Sequence, residues 1–321
     1  SIIGFLKCKI YYSSQFNISY ESMELRHLQY FVAVAEELHF GRAARRLNIS
    51  QPPLSQQIRQ LEEEIGVRLL NRTKRRVEIT PAGAAFLAEA RLILAASEEA
   101  VRRAIRADKG EIGSLAVGFI GSANYSVLPP VIREFRRRFQ EVELSLTEMN
   151  TSNQIEALRG GRIQVGFLRP PPGSEEAGLA VAPVYREPLV VAMSRNHPLQ
   201  EMREVPLRLL AKESFIMIPR QRGPGYFDHL IALCQREGFS PYIVLEASQF
   251  HTIVGLVAAE LGIAVVPASM QRSRFEGVVF RTVAGGAETI LHVACMHNHD
   301  SLVLRNFLAV ADEVSRSLPT T

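Results

Sequence analysis

Cysteine is scarce in this chain: Cys8, Cys234 and Cys295 are the only three in 321 residues, with no CxxC pair and no metal-ligand spacing. A disulfide framework is therefore excluded, and a reducing cytoplasm fits best. No apolar run reaches the roughly 18 residues that a membrane helix needs, so no membrane partner is expected. Residues 1–22 lack the sustained apolar core and small-residue cleavage site of a signal peptide. Met23, followed by Glu-Leu-Arg-His-Leu, has the look of a natural start, so residues 1–22 are expected to be an extension with no role in the fold. Catalytic signatures are missing too. The run Gly118-Phe119-Ile120-Gly121-Ser122 matches neither a GxSxG elbow nor a GxGxxG loop, and no His or Asp is evidently paired with it. His297-Asn298-His299-Asp300 holds metal-like residue types, but no further ligand is placed, so it reads as a solvated turn. Neither an enzyme, a metal nor a cofactor is expected.

What is present is ordinary in bulk and uneven in detail. The chain is 47% hydrophobic and 22% charged, with a net charge of only +4. From Phe40 to Arg76, however, nine Lys/Arg face three acidic residues, bunched at Glu62-Glu63-Glu64. Such a local positive field suits a polyanion. The same stretch reads FGRAARRLNISQPPLSQQIRQLEEE, two helices joined by a tight turn. Ala43 and Ala44 are small enough for a close helix crossing, and Leu47 and Ile49 face inward. Asn48-Ile49-Ser50 makes the turn, Ser50 is placed to cap the next helix, and Pro52 and Pro53 fit its first turn. Leu54, Ile58, Leu61 and Ile65 form a buried stripe. Gln51, Ser55, Gln56 and Arg59 lie opposite, where they can bond base edges or phosphates. An amphipathic pair with a merely polar outer face is the plainer alternative.

A first helix carries Leu25, Leu28, Phe31, Val32, Ala35 and Leu38 at helical spacing. After Gly66, Val67–Thr80 reads as a two-stranded wing with Arg72-Thr73-Lys74-Arg75-Arg76 at its tip, or as a solvated loop. Thr80 and Pro81 then start a helix as cap and first residue. It runs without Gly or Pro from Ala84 to Lys109, about 40 Å at ~1.5 Å per residue. Leu87, Ala90, Leu94, Ser97, Val101 and Ala104 follow a heptad, which needs either a second copy or the chain's own lobes to cover it. Gly110–Gly113 ends the helix. Beyond it, strands and helices alternate as in parallel βαβ units. Strands are expected at Leu115–Ile120, Val142–Glu148, Val165–Arg169, Leu189–Ser194, Phe215–Ile218, Ile243–Glu246, Ala264–Val266 and Thr289–Met296. Helices are expected at Tyr125–Phe139, Asn153–Arg159, Tyr226–Glu237, Phe250–Leu261 and Ser301–Arg316.

Together, the segment MELRHLQYFVAVAEELHFGRAARRLNISQPPLSQQIRQLEEEIGVRLLNRTKRRVEITPAG and the α/β region after it resemble the LysR-type transcriptional regulators, from Met23 to the C-terminus. The runs GFIGSANYSVLPPVIREFR, TEMNTSNQIEALRGGRIQVGFLR and IVGLVAAELGIAVVPAS are similar to the branch that regulates catabolism of aromatic compounds in response to muconate-like or benzoate-like carboxylates. The resemblance implies an α/β protein with an all-α N-terminal part: a winged helix-turn-helix (23–81), a linker and dimerisation helix (82–110) and a two-lobed, periplasmic-binding-protein-like effector domain (111–321). Lobe I would hold about 111–184 and 289–321, and lobe II about 185–288. It also implies a homodimer through the linker helix, a homotetramer, a dyad-symmetric double-stranded DNA site, RNA polymerase as a partner and a bacterial cytoplasmic location.

Carried over by position, Gln51, Pro52, Ser55 and Gln56 enter the major groove. Many relatives have Arg where this chain has Gln56, and Gln favours adenine rather than guanine. Arg42, Arg45, Arg59, Arg72, Lys74 and Arg75 are the phosphate candidates. In relatives, the positions of Ser122 and Thr151 bind the inducer. Each follows a strand at a helix N-terminus, where hydroxyls and free N–H groups suit a carboxylate. Both are open to a plainer role as helix caps. Arg169 and the loop from Pro219 to Arg222 supply countercharge, and Ala123, Asn124 and Tyr226 complete the candidate effector set. The expected function is activation of a catabolic operon. A redox- or metabolite-responsive repressor of unrelated genes and an α/β enzyme are the alternatives. Cys234 and Cys295 are too far apart to resemble the closely spaced pair of peroxide-sensing relatives.

Overall fold

The computed structural model describes residues 23–73, 76–174, 178–298 and 301–318. The extension expected at 1–22 lies outside them, as do Lys74, Arg75, His299 and Asp300. The chain divides into two compact units, one ending at Ala104 and the other beginning at Ile105. No helix among the described residues is long and apolar enough to cross a membrane.

In the first unit, α1 (Leu25–Glu37) buries Leu28, Phe31, Val34 and Ala35 at three- and four-residue spacing. Leu25 and Leu38, expected on that face, are each 46% exposed. Leu25 is the first helical residue, and Leu38 turns away in the left-handed conformation that ends the helix (φ 47°). His39 caps α2 (Phe40–Arg46), its Nδ1 accepting from the backbone N–H of Gly41 at 3.0 Å and of Arg42 at 3.2 Å. Asn48, at φ 55°, makes the turn into α3 (Gln51–Ile65). Ser50 occupies the N-cap position, but its hydroxyl makes no capping bond. Such a side chain bonds the N–H of the second or third helical residue, and here those residues are Pro52 and Pro53, which have none. Ala43, Ala44, Leu54, Ile58 and Leu61 are buried as their spacing predicts. Leu47, Ile49 and Ile65 pack partly buried against them. Each large apolar side chain sealed here contributes about 1.5–3 kcal/mol.

The wing is real: β1 (Leu70–Arg72) pairs antiparallel with β2 (Val77–Ile79). Helix α4 (Pro81–Asp108) then starts under Thr80, whose hydroxyl accepts from Gly83 N at 2.9 Å and donates to Arg68 O at 2.8 Å. Along α4, Ala90 is buried, whereas Leu92, Ile93, Val101 and Ile105 are exposed. Its apolar surface is thus wider than the expected heptad.

The second unit runs β3 (Ile112–Phe119), a 3-10 turn (Gly121–Tyr125), α5 (Leu128–Arg138), β4 (Glu141–Glu148), α6 (Thr151–Arg159), β5 (Val165–Leu168) and β6 (Leu179–Ser194). It continues with β7 (Glu204–Val205), β8 (Ser214–Met217), α7 (Pro224–Arg236), β9 (Tyr242–Glu246), α8 (Phe250–Ala258) and β10 (Ala264–Pro267). After a second 3-10 turn (Ala268–Ser273) come β11 (Val278–Val283), β12 (Glu288–Met296) and α9 (Leu302–Ser317). Strands β4, β3 and β5 are parallel, as are β8 and β9. Strands β12, β6, β10 and β11 join antiparallel, so the sheet is mixed rather than purely parallel.

Strand β6 carries the architecture. Its first half pairs with β12, and its last residues pair with β10 and β11. It begins at Leu179, ten residues before the expected start, because Pro183 and Pro188 disguise it. Proline is admitted at bulges and strand ends; Pro183 sits at the register shift opposite Leu291/His292, and Pro188 pairs with Glu288 at the end of β12. The helix expected over Tyr125–Phe139 is likewise divided, because Pro129 and Pro130 fit only a first turn and hold the start of α5 at Leu128. Two cores result. One packs Phe135, Phe167 and Phe307, with ring centroids 5.1 and 6.2 Å apart. The other packs Leu189–Met193 against Phe215 and Val254.

A Cβ at Gly83 would lie 2.1 Å from Leu69 O. Gly83→Ala is expected to destabilise the N-terminal unit by about 1–3 kcal/mol, the usual range for overpacking, read as a lower midpoint of its thermal unfolding transition.

Candidate nucleic-acid interface and inter-lobe cleft

On α3, Gln51, Pro52, Gln56 and Arg59 are exposed and Ser55 is half-buried, whereas Leu54, Ile58 and Leu61 are buried. The cations around them are not equivalent. Arg42 bonds Glu37, Arg46 bonds Glu36, and Arg76 bonds Glu78. Arg45, Arg59 and Arg68 are exposed and make no ion pair among the described residues. Arg68, absent from the expected set, lies with Arg59 along one groove beside Glu63.

Arg72 departs from its expected role. Its Nη2 bonds Glu62 Oε2 at 2.6 Å, and its guanidinium lies 5.0 Å from the centre of the Phe40 ring. Burial, then the nearby Arg59 and Arg68 charges, push its pKa down despite Glu62. Glu62 also accepts, through Oε1, from the N–H groups of Leu69 and Leu70 at 2.9 and 3.0 Å. One carboxylate thus pins the wing to α3. Its sequence clue is its place bordering the buried stripe, one turn after Ile58.

In the second unit, strands β3, β4, β5 and β9 aim their carboxyl ends at one region, the usual place for a ligand in such sheets. Thr151 is the first residue of α6, with Asn150 as its cap through a 3.0 Å bond from Asn153 N. Ser122 lies in the five-residue 3-10 turn instead of a helix, so no helix dipole acts there. Its hydroxyl accepts from Arg169 Nη1 at 2.8 Å. Arg169, only 4% exposed, also donates from Nε to Thr289 Oγ1 at 2.9 Å and from Nη2 to Glu187 Oε1 at 3.0 Å. Its guanidinium lies 5.7 Å from the centre of the Tyr226 ring. Glu187, 1% exposed, accepts through Oε2 from Ser269 N at 2.7 Å. Burial lowers the Arg169 pKa, and Glu187 opposes the shift. Burial also pushes the Tyr226 phenol above its ordinary value, and its hydroxyl donates to Val265 O at 3.0 Å.

Thr151, Arg169 and Tyr226 line a cavity of 30 Å³ between the lobes, completed by Gly121, Ile218, Arg222 and Gln249–Phe250. Ser122 stands one hydrogen bond behind, through Arg169. Ala123 does not reach the cavity; it is fully buried in the Phe135 core. Asn124 borders a neighbouring hollow with Glu148 and Gln249. Pro219 is half-buried and outside the lining, and Arg220 is held by Asp228. Ser152 Oγ donates to Gln221 O at 2.8 Å, and Arg272 Nη1 to Tyr125 O at 2.9 Å, drawing the lobes together over the cavity. Missing from the expected set were Gln249 and Phe250. They follow β9 in the same strand-to-helix position as Thr151 after β4, and that was their signal. Glu187 and Thr289 gave none, since they reach Arg169 from the two crossing strands, β6 and β12. Cys234 and Cys295 are both buried and unpaired; burial pushes the Cys234 thiol up to about 11 and raises that of Cys295.

Residues 25–84 match the family described as "Bacterial regulatory helix-turn-helix protein, lysR family", and residues 108–316 match "LysR substrate binding domain". The chain is 46% identical over 250 residues to the transcriptional regulator AlsR of Bacillus subtilis, covering 78% of this chain and 82% of that one. It is 37% identical over 280 residues to a probable cat1 operon transcriptional activator of Acinetobacter lwoffii, covering 87% and 91%. Among solved structures, CbnR, a LysR family regulator, superposes with a TM-score of 0.81 at 31% identity, over 90% of this chain and all of that one. Full-length CbnR with its target DNA gives 0.78 at 30% identity, over 91% and 100%.

Arg45→Ala and Arg59→Ala are each expected to flatten the salt dependence of DNA binding by about 0.9 in log–log slope. Arg72→Ala is expected instead to lower the thermal midpoint of the N-terminal unit by stranding Glu62. Titrations at graded salt and thermal melts separate the two effects. Iodoacetamide is expected to label Cys234 and Cys295 more than tenfold faster after denaturation than in the native protein, read by mass spectrometry, because burial opposes the thiolate that attacks.

Proposed function

Because this chain belongs to the LysR family of DNA-binding transcriptional regulators, we propose that it activates a catabolic operon when a small carboxylate binds between the lobes of its C-terminal unit. The carrying observation is the bond from Arg169 to the Ser122 hydroxyl, beside the α6 N-terminus at Thr151. A carboxylate entering there meets free helix N–H groups, a positive dipole end and the Arg222 guanidinium, beside an Arg169 already paired with Glu187. The catabolic and activating parts of the reading rest on the relative named for the cat1 operon.

At 30 Å³ the cavity has room for about two waters. A carboxylate therefore binds only by moving the lobes, parting bridges such as Ser152 to Gln221. The ligand acts through its unequal affinity for the two arrangements, and this links occupancy to shape. On the DNA side, one α3 reads only a few base pairs, so a dyad site and a dimer are required. The apolar surface of α4 is the natural dimer contact, and a tetramer doubles it. Gln56, where many relatives carry Arg, favours adenine at its position.

Ser122→Ala combined with Thr151→Ala is expected to abolish effector-dependent reporter expression while leaving operator affinity within about twofold. A gel-shift titration and a promoter fusion read the two quantities. Full induction by the double variant rules out this site for the effector.

A further inference from the structure

The histidine that caps α2 has a second ring nitrogen with no part in the cap. His39 Nδ1 accepts from the backbone N–H of Gly41 at 3.0 Å and of Arg42 at 3.2 Å. A nitrogen that accepts carries no proton, so the neutral imidazole holds its one proton on Nε2. The two nitrogens lie on opposite edges of the ring. With Nδ1 turned onto the helix end, the Nε2–H is directed away from it. His39 is exposed, and its Nε2 has no hydrogen-bond partner among the described residues. Ser, Thr, Asn and Asp are the usual caps. Ser or Asp supplies the acceptor and ends there, whereas the imidazole supplies the acceptor and carries a donor beyond it.

The surroundings of the ring locate that donor. A Cβ at Gly41 would lie 3.1 Å from His39 Cε1 and 3.6 Å from Gln51 Oε1. The imidazole edge and the first side chain of α3 therefore flank one slot, which the bare Gly41 leaves open. In a helix-turn-helix the N-terminal residues of the second helix meet base edges, while the first helix crosses the sugar-phosphate backbone. A donor at the start of α2, beside Gln51, stands where the two meet. Arg42, the cation expected near this place, folds back instead. Its guanidinium bonds the Glu37 carboxylate at 3.2 Å and also the Glu37 carbonyl. That brace holds the short segment on which His39 stands.

We propose that His39 is a DNA-contacting residue: Nδ1 caps α2 while the Nε2–H donates to a phosphate oxygen of the strand that α2 crosses. The contact rests on the reading that the first turn of α3 enters the major groove. The helix end itself is not the site, because Nδ1 already occupies two of its N–H groups. An uncharged donor neutralises no phosphate, so it adds affinity without steepening the salt dependence, unlike Arg45 and Arg59. It reads no base, so operator and random duplex gain alike.

The test uses the full chain with operator duplex and a random duplex of equal length. His39→Ser and His39→Asn keep a capping oxygen and remove the outer imidazole donor, so the thermal midpoint is expected to stay that of the parent. Both are expected to bind both duplexes roughly three- to tenfold more weakly, the range of one net hydrogen bond, with the log–log salt slope unchanged. With nitrogen-15 histidine, the His39 ring is expected to show Nε2 protonated and Nδ1 bare, and the Nε2 resonance to move on adding operator. The proposal is overturned if a variant with the parent's midpoint binds both duplexes like the parent, or if the loss falls on operator alone. It is equally overturned if the salt slope falls with the affinity or if the proton sits on Nδ1. Should both variants lower the midpoint, the parent's Nε2 resonance decides, and one unmoved by operator overturns the proposal. Gln56→Ala separates the two readings. If it still lowers the preference for operator over random duplex, the placement of α3 stands whatever becomes of His39. If it binds both duplexes like the parent, that placement fails and the His39 contact with it.

Discussion

A guanidinium carried out of water costs several kcal/mol unless its donors and its charge are both answered. Arg169 is answered four ways, by Ser122 from the turn after β3, by Thr289 from β12, by Glu187 from β6 and by the face of Tyr226 from α7. No two of these partners are neighbours in sequence. The charge is satisfied only when both lobes and the crossing strands are in register. Glu187 extends the constraint by holding Ser269 N at the second 3-10 turn. Removing one partner from such a pair strands the other charge and costs about 3–5 kcal/mol, so the network specifies one arrangement sharply. It does so at the residue that a ligand between the lobes must touch.

The DNA-binding unit follows a different electrostatic logic. Its positive field comes from nine cations between Phe40 and Arg76, yet several are committed to the fold. Arg46 and Arg91 share Glu36, tying α2 and α4 to α1. Arg72 and Glu62 tie the wing to α3. Those pairs position the helices, and Arg45, Arg59 and Arg68 remain available to phosphates. A count of charges in the sequence does not separate cations that already hold a carboxylate from those that do not; among the described residues the structure makes that separation.

The parts legible in the sequence were those with local causes. The α3 stripe of Leu54, Ile58 and Leu61, the proline start of α3 and the Thr80–Gly83 cap all follow from short-range periodicity and turn chemistry. Most strand ends came within one residue, but β3 starts three residues before its expected start and β11 was not expected at all. The failures have two causes. Ser50 has a capping side chain but faces two prolines, two and three residues on, that offer no N–H. Strand β6 contains prolines that normally end a strand; Pro183 sits at the bulge opposite Leu291/His292, and Pro188 pairs with Glu288 at the end of the ladder. Ala123 lies between Ser122, which holds Arg169, and Asn124, which borders a neighbouring hollow, yet a 3-10 turn points it into the core. For β6 and Ala123 the decisive groups lie on other segments.

The same crossing strands limit how the lobes can move. Pairing of β12 with β6 is continuous from Glu288/Pro188 to Met296/Leu179 apart from one bulge. Sliding would break the ladder throughout, whereas bending at the bulge disturbs only Pro183, which has no N–H to lose, and His292 opposite it. Thr289, three residues before that point, holds Arg169 Nε. A bend there would carry Thr289 with it, and so the Arg169 guanidinium in the wall of the inter-lobe cavity.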